Sequence, residues 1–480
     1  PPRSTLSNSS AASDVYKRQM IYLCHTKYLQ QQIINEFPEA AKLWGRSNYP
    51  CLLNKLATAA ECCHTKQSPC EYKRSLCDYE LAKRKVLASP LRILNYDYFL
   101  TECNFVGNLS GHDLIICDEA DTIENILSSF ISLRLPYKFM RSLGIGMPKY
   151  KTPTEKNGLS DWINWAGVSK KKVVRQITDY QSMLRSCTTE SEQVELTKKI
   201  NRLNSFVTSL SMFIEYVDET WLFMVDNNGS YTFKPTWITE GLANQYFWRH
   251  GNRFVLMSAT PPPVHVLSKL LGLSVKDIEY IHVPSSFDPS RRKVVLCNDA
   301  ANMTYKTFDR EIPKLVRLIK KIMAAHPTEK GVIHTTSYKV ADYLINHIET
   351  DRFITHTGDN KHDVIDMFMR TNKPAVLVSP SADRGLSLDY DKCRFIIWAK
   401  APYLSLSDKM VKSRLYGSGQ YGRDWYKFNM LQTVIQGVGR GNRHADDYCT
   451  AYICDKQIIK AITSNVTKIP VYFRESLVIA

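Results

Sequence analysis

Three groups of residues in this chain have the types and spacing to do chemistry. The first is Asp118-Glu119-Ala120-Asp121, at the end of the apolar run LIIC. Nucleoside triphosphate hydrolysis needs one acid on magnesium and a second carboxylate to orient or deprotonate the attacking water. A strand terminus can hold both rigidly. A solvated acidic turn is the plain alternative, and the buried-type run before the acids favours the functional reading. The second group is Gln436-Gly437-Val438-Gly439-Arg440-Gly441-Asn442-Arg443. Arg440 and Arg443 are three apart, expected on one face of a helix end, with glycines that admit close approach of backbone or phosphate. Guanidinium groups so placed stabilise charge on a transferring phosphoryl group, worth about 10³–10⁵ in rate. Standing alone, two surface arginines between capping glycines would explain the octet equally well. The third group is thiols: of 13 cysteines, Cys51, Cys62, Cys63, Cys70 and Cys77 share one short polar segment. Four thiolates suit an iron–sulfur cluster or zinc. Zinc sites usually show C-x₂₋₄-C pairs, whereas six to ten residues separate these ligands, which favours iron–sulfur.

The elements that must position these groups are legible as apolar periodicity. MIYLC reads as a buried strand followed by the helical pattern KYLQQQIINEF, and HDLIIC as the strand that delivers the acids. Leu196, Ile200, Leu203, Val207, Leu210, Ile214 and Val217 alternate spacings of four and three, a heptad seam. Val173, Ile177, Tyr180 and Leu184 form a matching stripe, so an antiparallel helical hairpin is expected, with CTTES between its arms. WLFMV and YTFKP read as strands around an Asn228-Gly229 turn. Beyond Asn252, apolar strands (RFVLMSAT, KVVLCND, GVIHTTS, RFITHTG, PAVLVSPS, RFIIWAK, TAYICD) alternate with amphipathic helices. That alternation means α/β architecture, with parallel sheets covered by helices on both faces.

At 480 residues the chain exceeds one core. No apolar run of 18 residues occurs, so no membrane-spanning helix is expected. The absence of a charged start leading into an apolar stretch gives no signal peptide, and scattered cysteines in so large a chain suit a reducing compartment. The expected location is cytoplasmic: a bacterial cell, or a host cytoplasm if the chain is phage-encoded. The net charge of +16 favours a polyanionic partner, against the alternative of a merely solubilising surface.

Order along the chain strengthens each weak motif. Thr26-Lys27-Tyr28-Leu29-Gln30 precedes the acids; Ser258-Ala259-Thr260, Thr335-Thr336-Ser337 and Asp383-Arg384-Gly385-Leu386-Ser387-Leu388-Asp389 follow, each after a strand, and the arginine octet comes last. This series resembles motifs Ia, II, III, IV, V and VI of the superfamily 2 helicases. The segment GRSNYPC with its later cysteines, followed by NYDYFL, resembles the XPD/DinG branch. The resemblance implies two RecA-like P-loop NTPase lobes, a 4Fe–4S cluster, Mg²⁺, ATP as substrate, and single-stranded or fork-like DNA as partner. It implies a monomer working with replication, recombination or repair proteins, and 5′-to-3′ movement. Asp118 would hold magnesium and Glu119 the water; Arg440 and Arg443 would reach the γ-phosphate, and Gln436 would register the nucleotide. Ser258, Thr260, Gly385 and Asp389 would couple ATP to DNA, which Thr26, Lys27, Gln30, Thr335, Thr336 and Arg384 would contact. The cluster ligands would be Cys51, Cys62, Cys70 and Cys77, with Cys63 the alternative to Cys62.

The expected domains are a first lobe over 20–121 and 221–288, a cluster insert over 45–89, a helical arch over 122–220, and a second lobe over 289–480. Within the arch, Lys170, Lys171, Lys172, Trp162 and Trp165 are candidates for DNA contact, against a hairpin-core reading of the tryptophans. Two departures from the family stand out. No G-x-x-x-x-G-K-[ST] loop occurs in the chain, and motif II ends in Asp121 where many relatives have His. The string SSAASDVYKRQ at residues 9–19 resembles the in-frame translation of a sequencing adaptor, with a Ser-rich tail as the alternative. Natural sequence is therefore expected from Met20, with the phosphate loop truncated and the first sheet short of one strand. A DNA-binding remnant without turnover and a cluster-bearing repair scaffold or nuclease are the rival functions.

Overall fold

The computed structural model describes residues 19–62, 70–73, 75–107, 109, 111–148, 155, 157–381, 388–442 and 444–480. The chain divides into two compact units. One comprises residues up to Ser258 together with Ser268–Ser274; the other comprises Ala259–Leu267 and Val275–Ala480.

The first unit is built on a parallel sheet of five strands: β1 (Met20–Cys24), β2 (Ala41–Lys42), β3 (Leu91–Asn95), β4 (His112–Cys117) and β8 (Gly251–Leu256). Their order is β2-β3-β1-β4-β8. β1, β3 and β4 carry the Ile/Leu-rich runs expected of strands buried on both faces, and Ile21, Leu23, Ile93, Leu94 and Ile115 are fully buried. Between β4 and β8 the chain forms a separate antiparallel sheet, β5 (Leu133–Leu135), β6 (Trp221–Val225) and β7 (Tyr231–Pro235), ordered β5-β7-β6. The Asn228-Gly229 turn between β6 and β7 forms as expected: Asp226 Oδ1 accepts the N–H groups of Asn228 and Ser230, and Gly229 takes φ 73°. Two long helices, Gly158–Ser186 and Glu190–Tyr216, form the hairpin, with Val173, Ile177, Ile200, Leu203 and Leu210 in the buried seam.

One expected boundary moves. The sequence places β6 and β7 with the first lobe, but they pair with β5 and share a core with the hairpin, because Trp162 packs its ring on Phe223, Tyr231 and Phe233. The hairpin and its three-stranded sheet are one insert.

The second unit holds a parallel sheet of seven strands: β9 (Val294–Ala301), β10 (Gly331–His334), β11 (Phe353–Thr355), β12 (Val376–Ser379), β13 (Phe395–Trp398), β14 (Thr450–Asp455) and β15 (Leu477–Ile479). Their order is β11-β12-β10-β13-β14-β9-β15. Every residue of β10, β12 and β13 is buried. The helix Phe308–Ala325 lays Ile312, Leu315, Ile319 and Ile322 against this sheet at the 3–4 spacing of an amphipathic face. The expected lobe boundary also shifts, because residues 259–267 and 275–288 cluster with this second unit.

Candidate nucleotide and nucleic-acid site

β4 positions the acid pair. Its neighbour β1 accepts the Asp118 N–H at Leu23 O (2.9 Å), and the buried hydroxyl of Tyr96 donates to the Asp118 carbonyl (2.7 Å). Asp118 is thus pinned on both sides of its Cα. Glu119 follows in the left-handed region (φ 49°), and its N–H is held by Asp118 Oδ1 at 2.9 Å. A non-glycine residue in that region costs about 1–3 kcal/mol and persists where its surroundings over-determine it; here Ala120 N–H is held by Met257 O and Thr122 by Glu119 O. Glu119 is exposed, whereas Asp118 is half-buried. Burial first, and then the charges of Asp118 and Glu119, pushes the Cys24 thiol up to about 12. Burial and then Asp118 raise the Tyr22 phenol. Tyr96 is a site residue that motif reasoning misses; the string NYDYFL carries it, but only as a family landmark.

β8 brings Ser258 to the same place. Ser258 Oγ donates to Asp121 Oδ1 at 2.9 Å. Asp121 therefore supplies an acceptor to motif III. Two residues on, in the second unit, Thr260 is buried, and its Oγ1 accepts from Gln436 Nε2 at 3.0 Å. Gln432 Nε2 donates to the Thr260 carbonyl at 3.2 Å.

In the second unit the helix Gly419–Val438 ends before the arginines. Arg440 lies in the turn beyond Gly439, half-buried, and not on a helix face as expected; its carbonyl accepts the Leu388 N–H at 3.2 Å. The glycines here serve the protein's own packing. A Cβ on Gly437 would sit 2.5 Å from the Trp398 ring, and one on Gly441 would sit 2.4 Å from Cys449 Sγ. Asp447, also missed by motif reasoning, ties motif V to motif VI: it accepts from Tyr390 N (2.8 Å) and Arg394 Nη1 (2.7 Å), while its carbonyl takes Asn442 Nδ2 (2.9 Å). Asp389 is paired with Lys392 at 2.9 Å. Arg384, Gly385, Arg443 and Cys63 lie outside the described residues.

The expected DNA contacts divide. Thr26 caps the helix Lys27–Glu36, its side chain accepting from Leu29 N at 3.2 Å. Lys27 is exposed, donates to Asn48, and lies 5.7 Å from the Trp44 ring centre. Gln30 is a correction: its side chain is fully buried on the sheet side of that helix, where no surface strand reaches it. Thr335 is also fully buried at the end of β10, and Thr336 is held at φ 53°. Neither hydroxyl finds a partner among the described residues. In the hairpin, Trp162 is fully buried, Trp165 Nε1 donates to Gly146 O (2.6 Å), and Lys172 Nζ donates to Gly144 O (2.6 Å). Trp162 sits in the core, and Trp165 packs edge-on against it while staying partly exposed.

The thiols converge more loosely. Cys51, Cys62, Cys70 and Cys77 all line one pocket, with Arg46, Tyr72 and Tyr79 among its other walls. The segment is shaped locally: Cys51 N–H is held by Ala57 O, Thr58 and Glu61 form a capping box just before Cys62, and Cys77 N-caps the helix Asp78–Ala88. Among the described residues no three His, Cys, Asp or Glu side chains gather closely enough for one metal ion.

The helicase C-terminal domain family matches residues 319–471. The chain is 24% identical over 187 residues to the ATP-dependent DNA helicase CHL1 of Vanderwaltozyma polyspora, covering 32% of this chain and 23% of that protein. It is 23% identical over 193 residues to the ATP-dependent DNA helicase YoaA of Escherichia coli, covering 39% of this chain and 30% of that protein. The matches thus span less than a third of either relative. The fold is similar to that of S. tokodaii Xpd4 (TM-score 0.54, 15% identity, 98% of this chain and 92% of that one). It is also similar to an XPD helicase structure (TM-score 0.55, 13% identity, 97% and 92%); at such identities these likenesses concern the fold alone. Residues 319–471 thus carry a helicase C-terminal domain match, parts of the chain are similar to two ATP-dependent DNA helicases, and its fold is similar to that of XPD helicase structures.

Proposed function

We propose that this chain carries the motor of an ATP-dependent DNA helicase or translocase acting on single-stranded and fork-like DNA in replication, recombination or repair. The observation that carries the reading is the end of β4: Asp118 pinned by Leu23 and Tyr96, Glu119 held left-handed, and Ser258 on Asp121. Such a terminus would suit Asp118 to hold Mg²⁺ and Glu119 to orient the attacking water. In this reading the two sheets are RecA-like lobes. Arg440 and Arg443 serve the γ-phosphate, Gln436 registers the nucleotide, and Ser258, Thr260, Gly385 and Asp389 pass its state on. Lys27, Thr336 and Arg384 are the proposed contacts on the DNA path, while the Thr335 side chain, fully buried like that of Gln30, makes no direct contact.

Cys51, Cys62, Cys70 and Cys77 are the proposed ligands of a 4Fe–4S cluster. The pocket they line has about 90 Å³ of free space, several-fold more than the ~10–15 Å³ that one water needs. A single zinc ion draws all its sulfurs to about 2.3 Å from one point, whereas a cluster lets each thiolate meet a different iron. The six to ten residues that separate these cysteines along the chain support the cluster over zinc.

A second reading, a nucleic-acid-binding remnant without turnover, is favoured by one observation: no G-x-x-x-x-G-K-[ST] occurs among the 480 residues. The 480-residue polypeptide is therefore expected to bind single-stranded DNA while hydrolysing ATP negligibly. Filter binding and a phosphate-release assay check this. Absence of DNA binding would remove the motor reading, and vigorous DNA-stimulated turnover would remove the need for that loop. Iron and acid-labile sulfide, measured after anaerobic purification, test the cluster.

A further inference from the structure

A surface on the second unit, outside every motif discussed so far, has the chemistry of a base-stacking site. The helix Lys409–Gly417 is capped by Asp408, whose Oδ1 accepts from Met410 N (2.7 Å) and Val411 N (3.2 Å). Lys409, Lys412 and Tyr416 stand at i, i+3 and i+7 and so share one face. All three are exposed, Tyr416 by 66%. The neighbouring helix Gly419–Val438 carries Tyr426, whose ring is stacked with that of Tyr403, with centroids 5.0 Å apart and planes 15° apart. Tyr426 is fixed from below by its hydroxyl, which donates to Leu404 O at 2.9 Å, while Tyr403 reaches solvent. Tyr416 lies on the helix Lys409–Gly417, which packs against the helix Gly419–Val438 that carries Tyr426.

Positive charge predominates on this surface, where Lys409, Lys412 and Arg423 are exposed, Arg414 is buried and Asp408 is an exposed acid. Between Tyr403 and Lys427 the sequence has five Lys or Arg and two Asp. Asp408 is committed to its helix cap, and Asp424 is buried and takes a hydrogen bond from Gln420 Nε2 at 2.8 Å. What faces solvent is mainly aromatic and cationic. Tyrosines doing structural work would bury their rings, yet this group leaves Tyr403 and Tyr416 open.

We propose that Tyr403, Tyr426 and Tyr416, flanked by Lys409 and Lys412, form a stacking platform for single-stranded nucleic acid. The inference rests on reading the chain as a nucleic-acid motor and adds a binding surface to it. An unpaired base has two free π-faces, and the outer face of an existing ring stack can take one of them whatever the sequence. The lysines, one and two helical turns from Tyr416, meet phosphates and release counterions. An acidic peptide would match the lysines but not the stacked rings.

The test measures binding of a fluorescein-labelled oligothymidylate to the 480-residue chain by anisotropy at several salt concentrations. Tyr416→Ala is expected to weaken binding by about 5- to 100-fold, the range for loss of one stacked base, and Tyr416→Phe to stay within about twofold of the parent. The double variant Lys409→Gln/Lys412→Gln should flatten the slope of log K against log salt by about 1.4, from roughly 0.7 per phosphate contact. The mutated side chains are exposed, so thermal unfolding should not change, and this separates lost contact from lost fold. Parent-like binding by Tyr416→Ala, or equal weakening by Tyr416→Phe, overturns the platform while leaving the motor reading in place. Displacement of the oligothymidylate by polyglutamate as readily as by unlabelled oligothymidylate also overturns it. A parent chain that does not bind oligothymidylate at all overturns both.

Discussion

The two parallel sheets differ at their edges. In the second unit the strands buried along their whole length, β10, β12 and β13, all lie inside the sheet, and the edges are the three-residue strands β11 and β15. In the first unit β8, a six-residue strand with Phe254, Val255 and Leu256, is itself an edge among the described residues, and Val255 is 45% exposed. Long apolar edge strands are ordinarily paired, covered or charged, because their free N–H and C=O groups recruit other chains. A sheet that terminates on such a strand has room for one more parallel neighbour beside Ser258. The second sheet ends on short strands, whereas the first, among the described residues, ends on a longer apolar one next to Ser258.

The comparison can be pressed hardest with acid. At the β4–β8 junction, where His112 pairs in register with Gly251, two imidazoles are buried together. Burial, and then the positive charge of Arg92, lowers His112 to about 4. Burial, and then Arg249 and His112, lowers His250 to about 4. Unfolded histidines protonate near pH 6.5, so below that pH the unfolded chain takes up protons that the folded unit refuses. Stability present above about pH 6.5 is lost as pH falls toward 4, by about 2–3 kcal/mol per histidine at pH 4.5. Urea midpoints of the first unit at pH 7 and 4.5 measure this. His112→Gln should remove much of the dependence; an unchanged pH profile in that variant would show that the junction is not dry.

Next in size is the core of the second sheet. Ile319 is fully buried against it, and Ile319→Ala should cost about 2–5 kcal/mol through lost burial and the cavity left behind. A loss below about 1 kcal/mol would mean that the second unit is packed no better than the first. Smaller again is the Ser258–Asp121 contact at 2.9 Å. Ser258 and Asp121 are both half-buried, so a double-mutant cycle over Ser258→Ala and Asp121→Ala should return a coupling of about 1 kcal/mol. Zero coupling would leave Asp121 without the acceptor role assigned to it.

Much of this arrangement is legible in the amino-acid sequence, and the parts that are not share a cause. Apolar runs announce the central strands because a strand buried on both faces writes its environment into five or six consecutive residues. The heptad seam announces the hairpin for the same local reason. β5 and β15 escape notice because each is only three residues long and neither falls within the strand–helix alternation that makes the equally short β11 legible. β5 then decides where β6 and β7 belong through pairing nearly a hundred residues away. Gln30 reads as a DNA contact only through the motif resemblance, and nothing local in the sequence reveals that its side chain is fully buried. Thr26 is readable as a cap from its place before a helix, a signal that its helicase-motif context masks. The burial of His112 and His250 depends on the two ends of the long insert coming together, and no window of sequence contains that.

The smallest expected effect tests the comparison most directly. If β8 is an open edge in solution, Val255 projects into water on a strand with no outer neighbour, and Val255→Lys should change stability by no more than about 0.5 kcal/mol. The same charge should reduce concentration-dependent association in light scattering, since lysine on an edge discourages strand pairing between molecules. A covered β8 would behave otherwise. There the lysine would be forced under a neighbour, the first unit would lose several kcal/mol, and association would rise as the strand came loose. The two outcomes differ in the sign of the association change as well as in the stability loss, so a single variant decides whether the first sheet ends at β8 or continues past it.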